Sequence, residues 1–125
     1  MKETRVGGLS PYSGQFIDLP SCLTFYKTDM NASHCLFENN LLGDDLVNVF
    51  DCNSVVFRDC EFNFSHADAL DSDFSSISLT NCSFKSIGND AVDGSGTDAD
   101  INDCYFENVE DKAISAGENS IFHLS

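Results

Sequence analysis

The chain has 125 residues, 42% of them hydrophobic, which suits one domain with a continuous core. Its 21 acidic and 6 basic residues give a net charge of −15 at pH 7, which argues against nucleic-acid backbones or anionic membranes as partners and favours cations or neutral molecules. No apolar run is long enough to span a bilayer, and residues 1–8 lack the apolar stretch of a signal peptide.

Residues 1–31 are predicted to form an N-terminal cap or a partial coil. They do not share the repeat that organises the rest of the chain, because Gly7, Gly8, Pro11 and Pro20 interrupt any regular pattern. Residues 32–125 are predicted to form the repeats, and both parts together make a single domain.

A unit of 22 residues recurs along residues 32–125. The units 54–75, 76–97 and 98–119 align without gaps, as the spacing of Cys60 and Cys82 shows (82−60=22). Residues 32–53 form an earlier, looser unit with about two extra residues near positions 39–43. A fixed period of this size is typical of a solenoid in which each repeat forms one coil, and insertions map to loops on one face.

Within one unit, the apolar residues alternate with polar ones. In residues 76–97, Ile77 and Leu79 form one alternating run, Cys82 and Phe84 a second, and Val92 a third, with turn-forming residues between them. Period two is typical of strands. The sequence therefore predicts an all-β, right-handed, single-stranded parallel β-helix of about five coils with three short strands per coil.

Equivalent residues of successive coils should lie directly above each other, roughly 4.8 Å apart. Two inward columns follow: Phe37, Phe62, Phe84 and Phe106, and Cys35, Cys60, Cys82 and Cys104. We interpret the four cysteines as buried structural thiols, because zinc would need four converging ligands and no CxxC pair occurs. Cys22 and Cys52 lie outside this column, and the sequence assigns them no role.

Two polar columns run along one edge of the predicted coils, and we call them together the acidic strip. They are Asp45, Asp68, Asp90 and Lys112, and Asn48, Asp71, Asp93 and Ser115. Stacked like charges repel, so a cation could bridge them, and calcium accepts several carboxylate oxygens. The candidate calcium ligands are Asp45, Asp68, Asp71, Asp90 and Asp93. The alternative is an acidic surface that is simply solvated.

Paired carboxylates could also act as an acid and a base on a glycosidic bond. The candidates are Asp68 with Asp71, Asp90 with Asp93, and the neighbouring His66. The alternative is that His66 is an ordinary surface residue, since spacing alone does not establish catalysis.

The C-terminal residues begin another coil. Ile121 aligns with Ile77 and His123 with Leu79, so this coil is incomplete. Because an open coil exposes unpaired backbone groups and an apolar cross-section, we expect a homo-oligomer joined through the C-terminal coils.

The repeated element of Asn or Asp, Cys, any residue and Phe is followed by Asp-Ala-hydrophobic-Asp and a Gly- or Ser-rich bend. Over residues 32–125 this resembles the right-handed parallel β-helix repeats of the pectate-lyase-like superfamily, especially repeat segments of bacterial envelope or secreted proteins. The resemblance implies a secreted or envelope location. The catalytic motifs of that superfamily's polygalacturonases and mannuronan epimerases are absent, and Arg58 lies away from the acidic strip, unlike the catalytic Arg of pectate lyases.

The leading hypothesis is a non-catalytic solenoid that serves as a structural or binding module, with carbohydrate as the candidate ligand and calcium as an optional one. The first alternative is a lyase, hydrolase or epimerase that acts on a polysaccharide through the acidic strip. The second is a self-assembling segment that stacks through its open coil ends. Enzymes of this fold usually build a cleft from more coils and longer loops, and only one modest insertion occurs here.

Overall fold

A computed structural model describes residues 1–13 and 18–125, and this described part of the chain contains strands and no helix. Nothing in it is therefore a helix capable of spanning a bilayer. The strands are β1 (Arg5–Gly7), β2 (Tyr12–Ser13), β3 (Asp18–Leu19), β4 (Leu23–Tyr26), β5 (Met30–Ser33), β6 (Leu36–Asn40), β7 (Asp45–Phe50), β8 (Val55–Arg58), β9 (Glu61–Ser65), β10 (Asp68–Asp73), β11 (Ser76–Thr80), β12 (Ser83–Ile87), β13 (Val92–Ser95), β14 (Asp98–Asn102), β15 (Tyr105–Val109), β16 (Ile114–Ala116) and β17 (Ile121–Leu124).

Three parallel five-stranded sheets form the walls of the molecule, and each coil adds one strand to each sheet. Sheet 1 has the order β1-β6-β9-β12-β15, sheet 2 the order β16-β13-β10-β7-β4, and sheet 3 the order β17-β14-β11-β8-β5. The predicted parallel β-solenoid of about five coils is thus confirmed. Right-handed winding stays a prediction, supported by the handedness rule for parallel connections.

Strands from residues 1–31 stack onto the first regular coil. β1 pairs with β6, β4 with β7, and β5 with β8, all in parallel. The short strands β2 and β3 instead pair antiparallel with each other.

The register confirms the repeat length. Phe62 pairs with Phe84, and Phe84 with Phe106, each 22 residues apart along the chain. In the first coil, Asn40 pairs with Ser65 (65−40=25) but Asp45 pairs with Asp68 (68−45=23). The two extra residues therefore lie between Asn40 and Asp45, as the sequence predicted.

The predicted alignment of the last coil is wrong by one residue. Phe122, not Ile121, pairs with Ala99, and Leu124, not His123, pairs with Ile101. One extra residue lies between Ala116 and Ile121, because the pairs Gly94–Ala116 and Asp98–Ile121 differ in separation by one (116−94=22, 121−98=23). The shift turns Phe122 towards the core, where it packs against buried residues, and leaves Ile121 exposed.

A residue with a left-handed backbone recurs at three places in each coil: between sheets 3 and 1, between sheets 2 and 3, and at the end of the sheet 1 strand. Among the described residues, every positive φ falls in one of three columns of five residues. The columns are Glu3, His34, Asp59, Asn81 and Asp103; Lys27, Asp51, Phe74, Gly96 and Asn119; and Gly8, Asn39, Phe64, Ser86 and Asn108. A left-handed residue reverses the side-chain alternation sharply, so it lets an extended chain turn the corner in one step.

The predicted phenylalanine column fills the interior. Phe37, Phe62, Phe84 and Phe106 stack with ring-centroid distances of 5.0, 4.6 and 5.1 Å between neighbours. Phe57 packs edge-on against Phe62 at 5.3 Å. Offset and edge-on contacts of this kind add about 0.5–1.5 kcal/mol per pair beyond the burial of apolar area.

Candidate functional site: the outer face of sheet 2

The outer face of sheet 2 presents two columns of side chains to solvent, and we call them together the outer face. Strand alternation sends Val47, Leu70 and Val92 inward. The next residue of each strand, and the second residue after that one, therefore point outward. One outward column is Thr24, Asn48, Asp71, Asp93 and Ser115, and the other is Tyr26, Phe50, Asp73 and Ser95. The face therefore changes from aromatic and amide groups in the first coils to carboxylates in the later ones.

Three aromatic rings form a ladder at one side of the outer face. Tyr26 and Phe50 lie 5.6 Å apart between ring centroids, and Phe50 and Phe74 lie 5.9 Å apart. Their exposed fractions are 57%, 37% and 62%. Tyr26 and Phe50 also border an open cavity of about 480 Å³ that Thr24 and Asn48 help to line.

Phe74 is held in a backbone conformation that is unfavourable for a bulky residue. Its φ of 50° is left-handed, a region that costs residues other than glycine roughly 1–2 kcal/mol. Its ring lies against Gly96, where an added Cβ would come within 2.7 Å of the ring carbon Cδ1. Phe64 has the same left-handed conformation and a similar exposure, and Phe74 differs from it because its ring packs against Phe50.

Two carboxyl groups of the outer face, Asp71 and Asp73, have raised pKa values. Burial, followed by repulsion from Asp45, Asp73 and Asp93, raises the pKa of Asp71 to about 8. Burial also raises the pKa of Asp73, while Asp71 and Asn48 oppose that rise by hydrogen bonding to it. The Asn48 Nδ2 atom also donates to Asp71 Oδ2 at 3.0 Å. The raised pKa of Asp71 makes the protonated form of this carboxyl group accessible near neutral pH.

The other predicted acidic column lies at a corner and satisfies backbone groups. Asp68 Oδ1 accepts hydrogen bonds from the N–H of Asp90 at 2.9 Å and from Asn89 Nδ2 at 2.6 Å. Asp90 Oδ1 accepts one from the N–H of Lys112 at 2.9 Å. Asp45 Oδ2 accepts one from the Ser21 hydroxyl at 2.6 Å, and burial raises its pKa to about 6. These carboxylates tie each coil to the next.

Three of the five predicted calcium ligands come together. Asp68, Asp90 and Asp93 each offer a carboxylate oxygen, and these oxygens lie within 4.8 Å of one another. Asp45 and Asp71 do not belong to this group; Asp45 binds Ser21, and Asp71 binds Asn48. Calcium takes six to eight oxygen ligands. Three carboxylates supply part of that shell, so water or the hydroxyl groups of a ligand would have to complete it.

His66 lines a different surface from the outer face. It borders an open cavity of about 630 Å³ together with Ser86, Gly88, Asn108 and Glu110. Its backbone lies so close to Gly88 that no side chain would fit at position 88. The structure thus brings Asp71 near Asp73 and Asp93, and places His66 in another environment.

Sequence reasoning missed the aromatic ladder. The available signal was the equal spacing of Tyr26, Phe50 and Phe74 (50−26=24, 74−50=24). This spacing differs from 22, so it escaped a search at the repeat period. In the sheet, Phe50 pairs with Asp73 and not with Phe74, the next residue along the chain. The Phe74 ring reaches Phe50 only because Phe74 has a left-handed backbone at the corner.

Sequence reasoning also left Cys52 unassigned, and the structure places it at a corner. It follows the left-handed Asp51, and its N–H donates to the Ser75 hydroxyl at 3.0 Å. Ser75, Thr97 and Ser120 occupy the same corner in later coils. We call Cys52, Ser75, Thr97 and Ser120 the hydroxyl corner, after its three later members.

Comparison with known proteins identified no relative: no family model, no curated protein and no solved structure matches the chain. The parallel β-solenoid is observed directly. Membership of the pectate-lyase-like superfamily stays a prediction from the repeat residues.

Proposed function

We propose that this protein is a non-catalytic β-solenoid binding module whose outer face binds carbohydrate. The observation that carries the proposal is the exposed aromatic ladder of Tyr26, Phe50 and Phe74, which continues into the polar groups Asn48, Asp71, Asp73 and Asp93.

Sugars match both halves of this face. A pyranose ring has an apolar C–H surface that packs on an aromatic ring, and hydroxyl groups that donate to carboxylate or amide oxygens. Binding sites generally combine apolar surface with a few placed polar groups in this way. Because the rings repeat at 5.6 and 5.9 Å along the coils, a saccharide chain would lie along the solenoid axis with successive residues on successive coils.

The charge of the face limits the class of saccharide. Asp73 and Asp93 would repel uronic acids or sulfated sugars, since like charges in a partly buried site interact strongly. Neutral glycans suit the face best. The Asp68, Asp90 and Asp93 carboxylates could also hold calcium at the edge of the face, with ligand hydroxyls completing the ion's shell.

The direct test is calorimetric titration with neutral oligosaccharides, namely β-linked glucose, xylose and N-acetylglucosamine oligomers, with calcium and then with a chelator. We expect binding, and we expect Phe74→Ala to weaken it about tenfold or more, the loss of one stacked ring. A higher affinity in calcium would support the ion's role; equal affinity with the chelator would remove calcium from the proposal.

Phe64→Ala is the matched control. Phe64 is 56% exposed and has a left-handed φ of 61°, like Phe74, but it lies at the corner between sheets 1 and 2. The control should bind like the wild-type protein. Absence of binding to all three oligomers, or an equal loss in both variants, would contradict the proposal.

One observation favours an enzyme as the second candidate. Asp71, with its pKa raised to about 8 by burial and then by the charge of Asp45, faces Asp73 and Asp93, and catalysis of glycoside hydrolysis needs one protonated and one ionised carboxyl group. The same oligosaccharides would then be cleaved, and Asp71→Asn would abolish cleavage while leaving binding. Intact oligosaccharides after long incubation would exclude this candidate for these substrates.

Self-association through the last coil is a third candidate. Phe106, Ile114 and Phe122 are only half-buried there, whereas equivalent residues in the middle coils are fully buried. Light scattering over a range of concentrations tests it, with Phe122→Ala as the variant that should shift the equilibrium towards monomer. A wild-type protein that stays monomeric at high concentration would rule it out.

A further inference from the structure

A column of four thiols runs inside the corner between sheets 3 and 1. Cys35, Cys60, Cys82 and Cys104 are free thiols, the first three are buried, and Cys104 in the last coil is half-buried. We call this column the thiol corner. It is independent of the outer face, and the proposed carbohydrate binding does not use it.

The four sulfurs are held in the same way. Each thiol donates to the carbonyl oxygen two residues before it: Cys60 to Arg58 at 3.3 Å, and Cys82 to Thr80 at 3.4 Å. The hydroxyl corner uses the same arrangement, since Ser75 donates to the Asp73 carbonyl at 2.8 Å. A hydroxyl group can therefore make the same hydrogen bond at a corner of this geometry. Folding alone does not require four thiols in one column.

Identical orientation places each sulfur one coil above the last. Neighbouring strands lie about 4.7–4.9 Å apart, and the strand before Cys82 pairs in register with the strands before Cys60 and Cys104, so successive sulfurs of the thiol corner lie about one strand spacing apart. This spacing is close to twice a metal–sulfur bond of about 2.3 Å. An ion midway between two successive sulfurs would thus bind both in a line.

We propose that Cys82 and Cys104 form a two-coordinate site for a soft monovalent metal ion of the Cu⁺ class. Thiolates select soft ions, and two sulfurs in line do not provide the four converging ligands that Zn²⁺ requires in a structural site. Cys104 gives the ion access from solvent because it is half-buried.

Binding needs no oxidant. The two S–H bonds break, two metal–sulfur bonds form, both protons leave to solvent, and the ion stays monovalent. The resulting complex of two thiolates with one monovalent ion carries one negative charge.

The test titrates the full chain with Cu⁺ alone under anaerobic, reducing conditions against a colorimetric Cu⁺ chelator. All proteins carry Cys22→Ser, which removes a thiol outside the column. We expect one tight site with sulfur-to-copper charge-transfer absorption in the ultraviolet. Mutating a residue that only hydrogen-bonds to a metal ligand typically lowers metal affinity by ~10–100-fold. Cys82→Ser removes a ligand itself, so it should weaken Cu⁺ binding by at least about 100-fold.

Cys52→Ser is the matched control. Cys52 is buried, follows a left-handed residue and donates to the carbonyl two residues earlier, but its neighbour in the next coil is Ser75. Its variant should bind Cu⁺ like the parent. Wild-type affinity in Cys82→Ser, or an equal loss in Cys52→Ser, would overturn the proposal. If Cys82→Ser does not fold by circular dichroism, Cys104→Ser in the last coil provides the same test.

Discussion

Two interior columns of this solenoid, the phenylalanines and the cysteines, repeat one residue type, whereas the outer face of sheet 2 changes from coil to coil. Inside, Phe62 and Phe84 stack on each other at 4.6 Å. On the outer face, the column that starts with Tyr26 and Phe50 continues with Asp73 and Ser95. Residues of these two columns pack against their own kind one coil away, so a change there leaves a gap or a clash. The outer face is free of that constraint, so its composition can serve binding.

The two regions also differ in what they contribute to stability. The phenylalanine column buries apolar area and adds aromatic contacts. The outer face holds Phe74 in a left-handed conformation and brings Asp71 close to other carboxylates, and both features oppose folding. An exposed face whose features lower stability fits a binding role better than a structural one.

Truncation of the interior column should give the largest effect. Phe84 is fully buried between Phe62 and Phe106, so Phe84→Ala should lower the free energy of unfolding by about 3–5 kcal/mol, as cavities in packed cores do. Urea denaturation measures it. Phe64→Ala, at an exposed corner, should change stability by less than about 1 kcal/mol. Equal losses in the two variants would break the distinction between interior and exterior.

A smaller effect is expected where the aromatic ladder meets the corner. Gly96 has a φ of 58° and touches the Phe74 ring. Gly96→Ala should lower the free energy of unfolding by about 1–2 kcal/mol, because alanine is unfavourable in the left-handed conformation. Thermal unfolding measures this loss. Gly8→Ala is the control, because Gly8 has a φ of 64° and open space around its Cα. A larger loss at Gly96 than at Gly8 isolates the contact with Phe74, and equal losses would show that the ring simply moves aside.

The last prediction concerns the dependence of stability on pH. Burial and neighbouring carboxylates raise the folded-state pKa of Asp71 to about 8 and of Asp45 to about 6, above the usual value of about 3.9. The folded protein therefore binds more protons than the unfolded chain between these values, so stability is highest near pH 4 and falls as pH rises to about 8.

Urea denaturation at a series of pH values checks this slope. Asp71→Asn should flatten it between about pH 6 and 8, the upper part of the window, whereas Asp100→Asn, at an exposed position of sheet 3, should leave it unchanged. Stability that rises over this range in the wild-type protein would show that the carboxylates of the outer face are ionised without penalty.

The repeat made much of the fold predictable. Phe62, Phe84 and Cys82 recur at a constant interval, so their shared interior position followed from the spacing, as did the insertion before Asp45. The alignment of Ile121 failed because one extra residue in the last turn is invisible in a polar segment without a repeated landmark. In the acidic strip, adjacency of Asp71 and Asp93 was predictable, but the hydrogen bonds of Asp68 to backbone groups were not.

The sequence by itself determined the period, the three strands per coil and the identity of the interior columns, because residues that pack against copies of themselves must recur at one interval. Only the tertiary structure decided which outward residues share a surface. The left-handed corner residues redirect the chain by an amount that spacing does not express, and they bring the Phe74 ring onto Phe50 and place Cys52 at the hydroxyl corner rather than the thiol corner.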